Sequence, residues 1–121
     1  MRLFIADDSE ILRSRLCELL SEIEDITIVG QAGDLASALK AIQNLKPDVV
    51  IMDIRFPGED GLLALEAIKK GKNPPKVVMF TNYPYLQYRK KCLNGGADYF
   101  FYKAMEFENL IALLKELAQE T

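Results

Sequence analysis

The sequence predicts an α/β domain: a doubly wound, five-stranded parallel sheet with helices on both faces. Three observations carry that prediction. Short apolar runs alternate along the chain with amphipathic stretches of helical period. The runs hold almost no polar residue, as strands covered on both faces require. Turn and capping residues separate each run from the next. The order reads βαβαβαβαβα, which selects parallel crossovers. Residues 1–121 have the length of one ordinary domain.

Leu3–Ala6 is the first apolar run, and the helix after it carries Ile11, Leu12, Leu16, Leu19, Leu20 and Ile23. Asp8 or Ser9 caps that helix. Ile26–Val29 is the second strand, stopped by Gly30 and Gly33. Asp34 caps a helix with Leu35, Ala38, Leu39, Ile42 and Leu45 on one face. Pro47 resets the chain, and Val49–Met52 is a third strand bounded by Asp48 and Asp53. A loop, Arg55–Gly58, leads to a helix with Leu62, Leu63, Leu65, Ala67 and Ile68 that ends near Gly71. Lys76–Phe80 is the fourth strand, entered through Pro74 and Pro75. Pro84 suits the first turn of a fourth helix, closed by Gly95 and Gly96. Tyr99–Tyr102 is the fifth strand, and Phe107–Leu117 the last helix. The charge runs Lys69–Lys72 and Arg89–Lys91 read as solvated helix ends or faces.

Composition narrows the function. Fifteen basic against eighteen acidic residues give a net charge of −3, which argues against a direct nucleic-acid partner. With no histidine in the chain, His-based triads and His zinc sites are excluded. Cys17 and Cys92 fit no metal-ligand spacing and read as reduced helix residues. No apolar run approaches spanning length and no charged-then-apolar leader opens the chain, so no membrane partner and a cytoplasmic location are expected.

In a sheet of this kind ligands bind beyond the carboxyl ends of the strands, at the switch point of strand order. Asp7 and Asp8 follow the first strand, Asp53 the third, Thr81 the fourth and Lys103 the fifth. In the order 2-1-3-4-5 all five converge on one crevice. Taken singly, Asp8 is a helix cap, Asp53 a turn residue, and Thr81 and Lys103 ordinary strand-end residues. Together they describe a chemistry. Three carboxylates in one pocket repel, and an all-oxygen Mg²⁺ site removes the conflict. The metal and Lys103 then balance phosphate charge, Thr81 donates its hydroxyl, and one carboxylate attacks phosphorus. The first strand-to-helix turn, Ala6-Asp7-Asp8-Ser9-Glu10, has no glycine-rich phosphate cradle.

At these residues the chain resembles the receiver domain of two-component response regulators. The resemblance rests on Asp7-Asp8, on Asp53-Ile54-Arg55-Phe56-Pro57-Gly58-Glu59-Asp60-Gly61, on Thr81 and on Lys103. It covers the whole chain and implies a flavodoxin-like, three-layer fold. It implies further that Asp53 is the phosphoacceptor, and that Asp8, Asp53 and the Arg55 carbonyl bind Mg²⁺ directly, Asp7 acting through a water. Lys103 would pair first with the acceptor and then with its phosphoryl group. Thr81 and Phe100 match the family's switch pair, and Arg55, Asn82 and Tyr83 would flank the pocket mouth. Ala104 stands where many receivers have a cis proline, and Asn82 where alanine is common.

The partners so implied are a sensor histidine kinase or histidine phosphotransfer protein as donor, and an effector docked on the fourth helix, fifth strand and fifth helix. That face carries Gln87, Tyr88, Arg89, Lys90 and Lys91, with Glu106 and Glu108 nearby. A phosphorylation-dependent homodimer is a further arrangement to test. No output domain is expected within these residues. Two other classes compete. A Mg²⁺-dependent aspartyl-phosphate phosphatase needs two acids two residues apart after the first strand, where this chain has Asp7 and Ser9. A phosphorylation-independent scaffold would have lost a pocket residue, whereas all five are present.

Overall fold

A computed structural model describes residues 1–83 and 86–120 of the chain. The elements run β1 (Arg2–Ala6), α1 (Glu10–Ser21), β2 (Thr27–Ala32), α2 (Leu35–Leu45), β3 (Val49–Met52), β4 (Arg55–Phe56), β5 (Glu59–Asp60), α3 (Gly61–Lys69), β6 (Lys76–Thr81), α4 (Leu86–Asn94), β7 (Tyr99–Tyr102) and α5 (Phe107–Glu120). The five long strands form one parallel sheet in the order β2-β1-β3-β6-β7. Counting those strands alone, this is 2-1-3-4-5, as the sequence predicts. Pro84, placed by the sequence reading in the first turn of α4, lies outside the described residues.

Period-two alternation divides the strands between two cores. Phe4, Ala6, Val50, Met52, Val77 and Met79 face one layer with Leu35, Leu65 and Cys92. Leu3, Ile5, Val49, Ile51, Val78 and Phe80 face the other with Leu16, Leu20, Leu110 and Leu114. Apart from Arg2 and Lys76 at the strand starts, every residue of the central strands β1, β3 and β6 is thus buried whichever way it points, which is why those runs are unbroken in sequence. All four residues of β3 are buried.

Several expectations change. Gly30 does not stop β2 but lies inside it. A Cβ there would stand 3.0 Å from Phe4 Cε2 and 3.2 Å from Leu45 Cδ1, so the glycine makes room for the Phe4 ring. The β1–β2 register shifts beside that contact, between Leu3 and Phe4. Ser9, not Asp8, caps α1, its hydroxyl accepting from the Leu12 N–H at 3.2 Å. Ile11 is 83% exposed and Leu19 40%, because both fall off the Leu12–Leu16–Leu20 line that meets the sheet. Leu63 and Ala67 are likewise exposed on α3, whose buried line is Gly61, Ala64, Leu65 and Ile68. Lys69 is not merely solvated: its ammonium donates to the Pro75 carbonyl and to Asp98 Oδ2, both at 2.9 Å.

The stretch read as a loop after β3 is a tight antiparallel hairpin, β4 and β5 pairing Arg55 with Asp60 and Phe56 with Glu59. Pro57 and Gly58 occupy its turn, Gly58 at φ +73°, where only glycine is unstrained. Gly61 closes the excursion, since a Cβ on it would lie 2.7 Å from Ile54 Cα.

Candidate functional site

Parallel pairing brings the predicted residues to one edge. Ala6 pairs with Met52, so Asp7 and Asp53 leave neighbouring strands at the same level; Met52 pairs with Met79 and Met79 with Phe100, so Lys103, two strands away, reaches back from two residues further along. Their amides still belong to the ladder: Asp7 N–H donates to the Ala32 carbonyl, Asp53 to Ala6 and Lys103 to Thr81, at 3.0, 3.2 and 2.9 Å. The backbone of the site is therefore part of the sheet.

Asp7, Asp8 and Asp53 each offer a carboxylate oxygen within 4.8 Å of the others. Asp7 and Asp53 are buried, at 3% and 5% exposure, while Asp8 is open to solvent. The Lys103 ammonium bridges the buried pair, 2.6 Å from Asp7 Oδ2 and 2.7 Å from Asp53 Oδ2. The other oxygens close two matching turns: Asp7 Oδ1 accepts from Ser9 N–H at 2.9 Å, Asp53 Oδ1 from Arg55 N–H at 3.2 Å. Arg13 adds a guanidinium bond to the Asp7 carbonyl at 2.5 Å.

Burial holds the Asp7 carboxyl above the usual aspartate range, opposed by its bond to Lys103. Burial alone would lower the Lys103 ammonium, but its bonds to Asp53 and Asp7 outweigh that and keep it above the ordinary lysine value. Three carboxylates against one ammonium leave two negative charges uncompensated at the cleft. An all-oxygen donor set of that charge fits Mg²⁺. Below it Cys92 is inert, its thiol pushed up to about 11 by burial and by the Asp53 charge.

The cleft above these carboxylates encloses about 890 Å³, with Asp8, Asp53 and Lys103 at its base and Arg55, Glu59, Asn82 and Tyr83 in its walls. The Arg55 guanidinium stands 5.4 Å from the Tyr83 ring centre. Tyr83 and Tyr88 are 4.2 Å apart, and the Lys91 ammonium lies 5.3 Å from Tyr88. Thr81 is fully buried behind this wall, its Oγ1 accepting from Tyr83 N–H at 3.2 Å. Asn82 is shared with a smaller recess of about 290 Å³, lined by Ser9, Leu12, Lys103 and Ala104.

Phe100, matched to the family's switch aromatic, lies inward at 4% exposure, set edge-on to Tyr102 at 5.2 Å and covered by Arg89 at 5.6 Å. Arg89 is thus a packing residue rather than only a solvated one. The turn after Lys103 needs no proline: Met105 and Glu106 N–H donate to the Tyr102 carbonyl, and the Glu106 carboxylate accepts from Tyr102 N–H at 2.8 Å. Arg13 is a supporting residue that sequence reasoning missed, and it named Glu106 and Glu59 without their supporting roles. Only Pro57-Gly58, a turn signal beside Glu59, hinted at any of them.

Residues 3–115 match the family model described as response regulator receiver domain. The chain belongs to that family. Among relatives of this receiver domain, a Bacillus subtilis protein named uncharacterized transcriptional regulatory protein YvfU is 36% identical over 116 residues, covering 96% of this chain and 58% of that protein. A protein-glutamate methylesterase/protein-glutamine glutaminase of Hahella chejuensis is 36% identical over 108 residues, 88% of this chain but 28% of that protein. The receiver thus spans about half or less of these two relatives. Among solved structures, the response regulator domain of Thermotoga maritima CheB superposes with a TM-score of 0.85 at 30% identity, covering 99% of this chain and 94% of that one. The signal receiver domain of the putative response regulator NarL from Mycobacterium tuberculosis gives 0.87 at 27% identity, covering 99% and 97%. Among the described residues no helix is long and apolar enough to cross a membrane.

Proposed function

We propose that the protein is a phosphoacceptor switch of a two-component system, acting in the cytoplasm. Asp53 takes a phosphoryl group from a phosphohistidine on a sensor kinase or a phosphotransfer protein, and the change alters which partner the α4–β7–α5 face holds. One observation supports this above the others: Lys103 bridges two buried carboxylates beside an exposed third. That arrangement leaves a surplus of negative charge which a divalent cation and an incoming phosphoryl group together resolve.

Asp8, Asp53 and the Arg55 carbonyl, with Asp7 through water, would hold Mg²⁺, which supplies positive charge to the phosphoryl oxygens. The Asp53 carboxylate forms the new O–P bond as the P–N bond breaks, the electron pair leaving on the imidazole nitrogen. Each Asp53 oxygen already accepts one bond, from Arg55 N–H or Lys103, so the nucleophile is oriented before a donor arrives. Lys103 then turns from a carboxylate clamp into a phosphoryl partner, and Thr81 offers its hydroxyl proton. That last contact draws on the Tyr83 turn and so on the α4 side of the cleft.

The test is incubation with Mg²⁺ and acetyl phosphate, followed by intact mass. A phosphoryl gain on the wild type that is absent from Asp53→Asn is the expected result; no gain, or an equal gain on both, overturns the reading.

A further inference from the structure

Glu59 has no part in the charge cluster, yet both of its carboxylate oxygens are engaged. Oε1 accepts from Leu35 N–H at 2.9 Å and Oε2 from Ala36 N–H at 3.1 Å. These are the first two amides of α2, which every helix leaves unpaired. The next amide, Ser37 N–H, is served locally by Asp34 Oδ1 at 2.8 Å. The start of α2 is thus divided between a neighbour in sequence and a residue more than twenty positions downstream. Glutamate in a short exposed hairpin ordinarily keeps its rotamer freedom. Here two charge-assisted bonds and the positive helix end offset its ordering.

The other end of this tether is the phosphoacceptor. Glu59 pairs with Phe56 across the hairpin, and Arg55 pairs with Asp60. Phe56 is buried, and Pro57-Gly58 makes the turn tight, so the hairpin moves as one piece. Arg55 N–H is the donor that orients Asp53 Oδ1. A continuous line of bonds therefore runs from the α2 amides through Glu59 and the hairpin to the Asp53 carboxylate.

We infer that Glu59 is a positioning residue for the phosphoacceptor site: by seating the hairpin on the α2 terminus it sets the Arg55 backbone, and through it Asp53. The inference rests on the reading of Asp53 and its neighbours as a Mg²⁺ site. A helix cap and a positioning residue make opposite demands on one control, Asp34→Ala, which removes the other cap of α2 without touching the hairpin.

The experiment is calorimetric titration with Mg²⁺ on wild type, Glu59→Ala, Glu59→Gln and Asp34→Ala, with thermal melting of each. Glu59→Ala should weaken Mg²⁺ binding about tenfold, the low end for groups that orient metal ligands. Glu59→Gln keeps one carbonyl acceptor and should fall between that variant and the wild type. It also serves if Glu59→Ala folds poorly. Asp34→Ala should melt earlier while binding Mg²⁺ within about twofold of wild type, since it leaves the ligands' orienting bonds in place. Wild-type affinity in both Glu59 variants, or an equal loss in Asp34→Ala, overturns the inference and leaves the Mg²⁺ site standing. No Mg²⁺ binding by the wild type removes both.

Discussion

Asp7 and Asp53 occupy equivalent places on neighbouring strands and receive the same kinds of donor, yet the chain secures them differently. Each gives one oxygen to a backbone N–H two residues on and the other to Lys103. After Asp7 the chain enters α1 at once: Ser9 is both its turn partner and the helix cap, and Arg13 reaches back from the first turns to the Asp7 carbonyl. After Asp53 it leaves on a hairpin whose outer corner is tied to α2 by Glu59. Apart from the shared Lys103, the first carboxylate is held by contacts within six residues; the second depends on a helix that precedes it. Local anchoring suits a group that need only stay charged. Remote anchoring makes the turn around Asp53 depend on how the hairpin is seated on α2.

The largest test of that contrast removes what the two turns share. Lys103→Ala should slow phosphoryl uptake from acetyl phosphate by about a hundredfold or more, the scale of losing a preorganised charge partner. Mg²⁺ affinity should hold or rise, because a competing cation is gone. Uptake by stopped-flow and titration by calorimetry measure the two, and a parallel loss of both would mean that Lys103 only holds the pocket together.

A smaller effect separates the carboxylates themselves. Burial raises the Asp7 carboxyl above its ordinary value of 3.8, so the unfolded chain ionises first and charge on Asp7 opposes folding above that value. Asp7→Asn should therefore stabilise the metal-free protein at neutral pH by about 1 kcal/mol, read from its melting curve. The advantage should shrink as the pH falls through the folded value toward 3.8, where wild-type Asp7 becomes neutral too. A destabilised Asp7→Asn protein would mean that the Lys103 bond outweighs burial.

The smallest expected effect concerns the wall on the Asp53 side alone. Arg55 and Tyr83 meet at 5.4 Å across the cleft mouth and narrow the path of a hydrolytic water. Replacing both with alanine should shorten the half-life of the phosphorylated protein by about two- to fivefold, as expected when a shielding contact rather than a catalytic group is lost. Phosphate release from purified phosphoprotein measures it, and an unchanged or longer half-life rejects shielding.

Features that depend on short patterns are legible in this sequence. Strands buried on both faces print themselves as unbroken apolar runs, and Asp7, Asp8, Asp53, Thr81 and Lys103 stand out as the polar residues at their carboxyl ends. Features that depend on the position of a second element are hidden in it. Gly30 reads as a stop until the Phe4 ring beside it is known. Ile11 reads as core until the rotation of α1 is known. Glu59 looks like any surface acid until the hairpin carries it to α2. Phe100 is legible as a strand residue three before Lys103, but its inward packing depends on Arg89 and Tyr102 covering it.

The Lys103 bridge also bears on how the chain folds. Lys103 lies 50 residues from Asp53 and at the opposite end of the sequence from Asp7. Pairing of β1 with β3 brings the two carboxylates together, whereas their common cation joins the sheet only through β6 and β7. Contacts of such long sequence separation close late and set the pace of assembly. Until β7 docks beside β6, the buried Asp7 and Asp53 carboxylates therefore lack the ammonium that bridges them in the finished sheet.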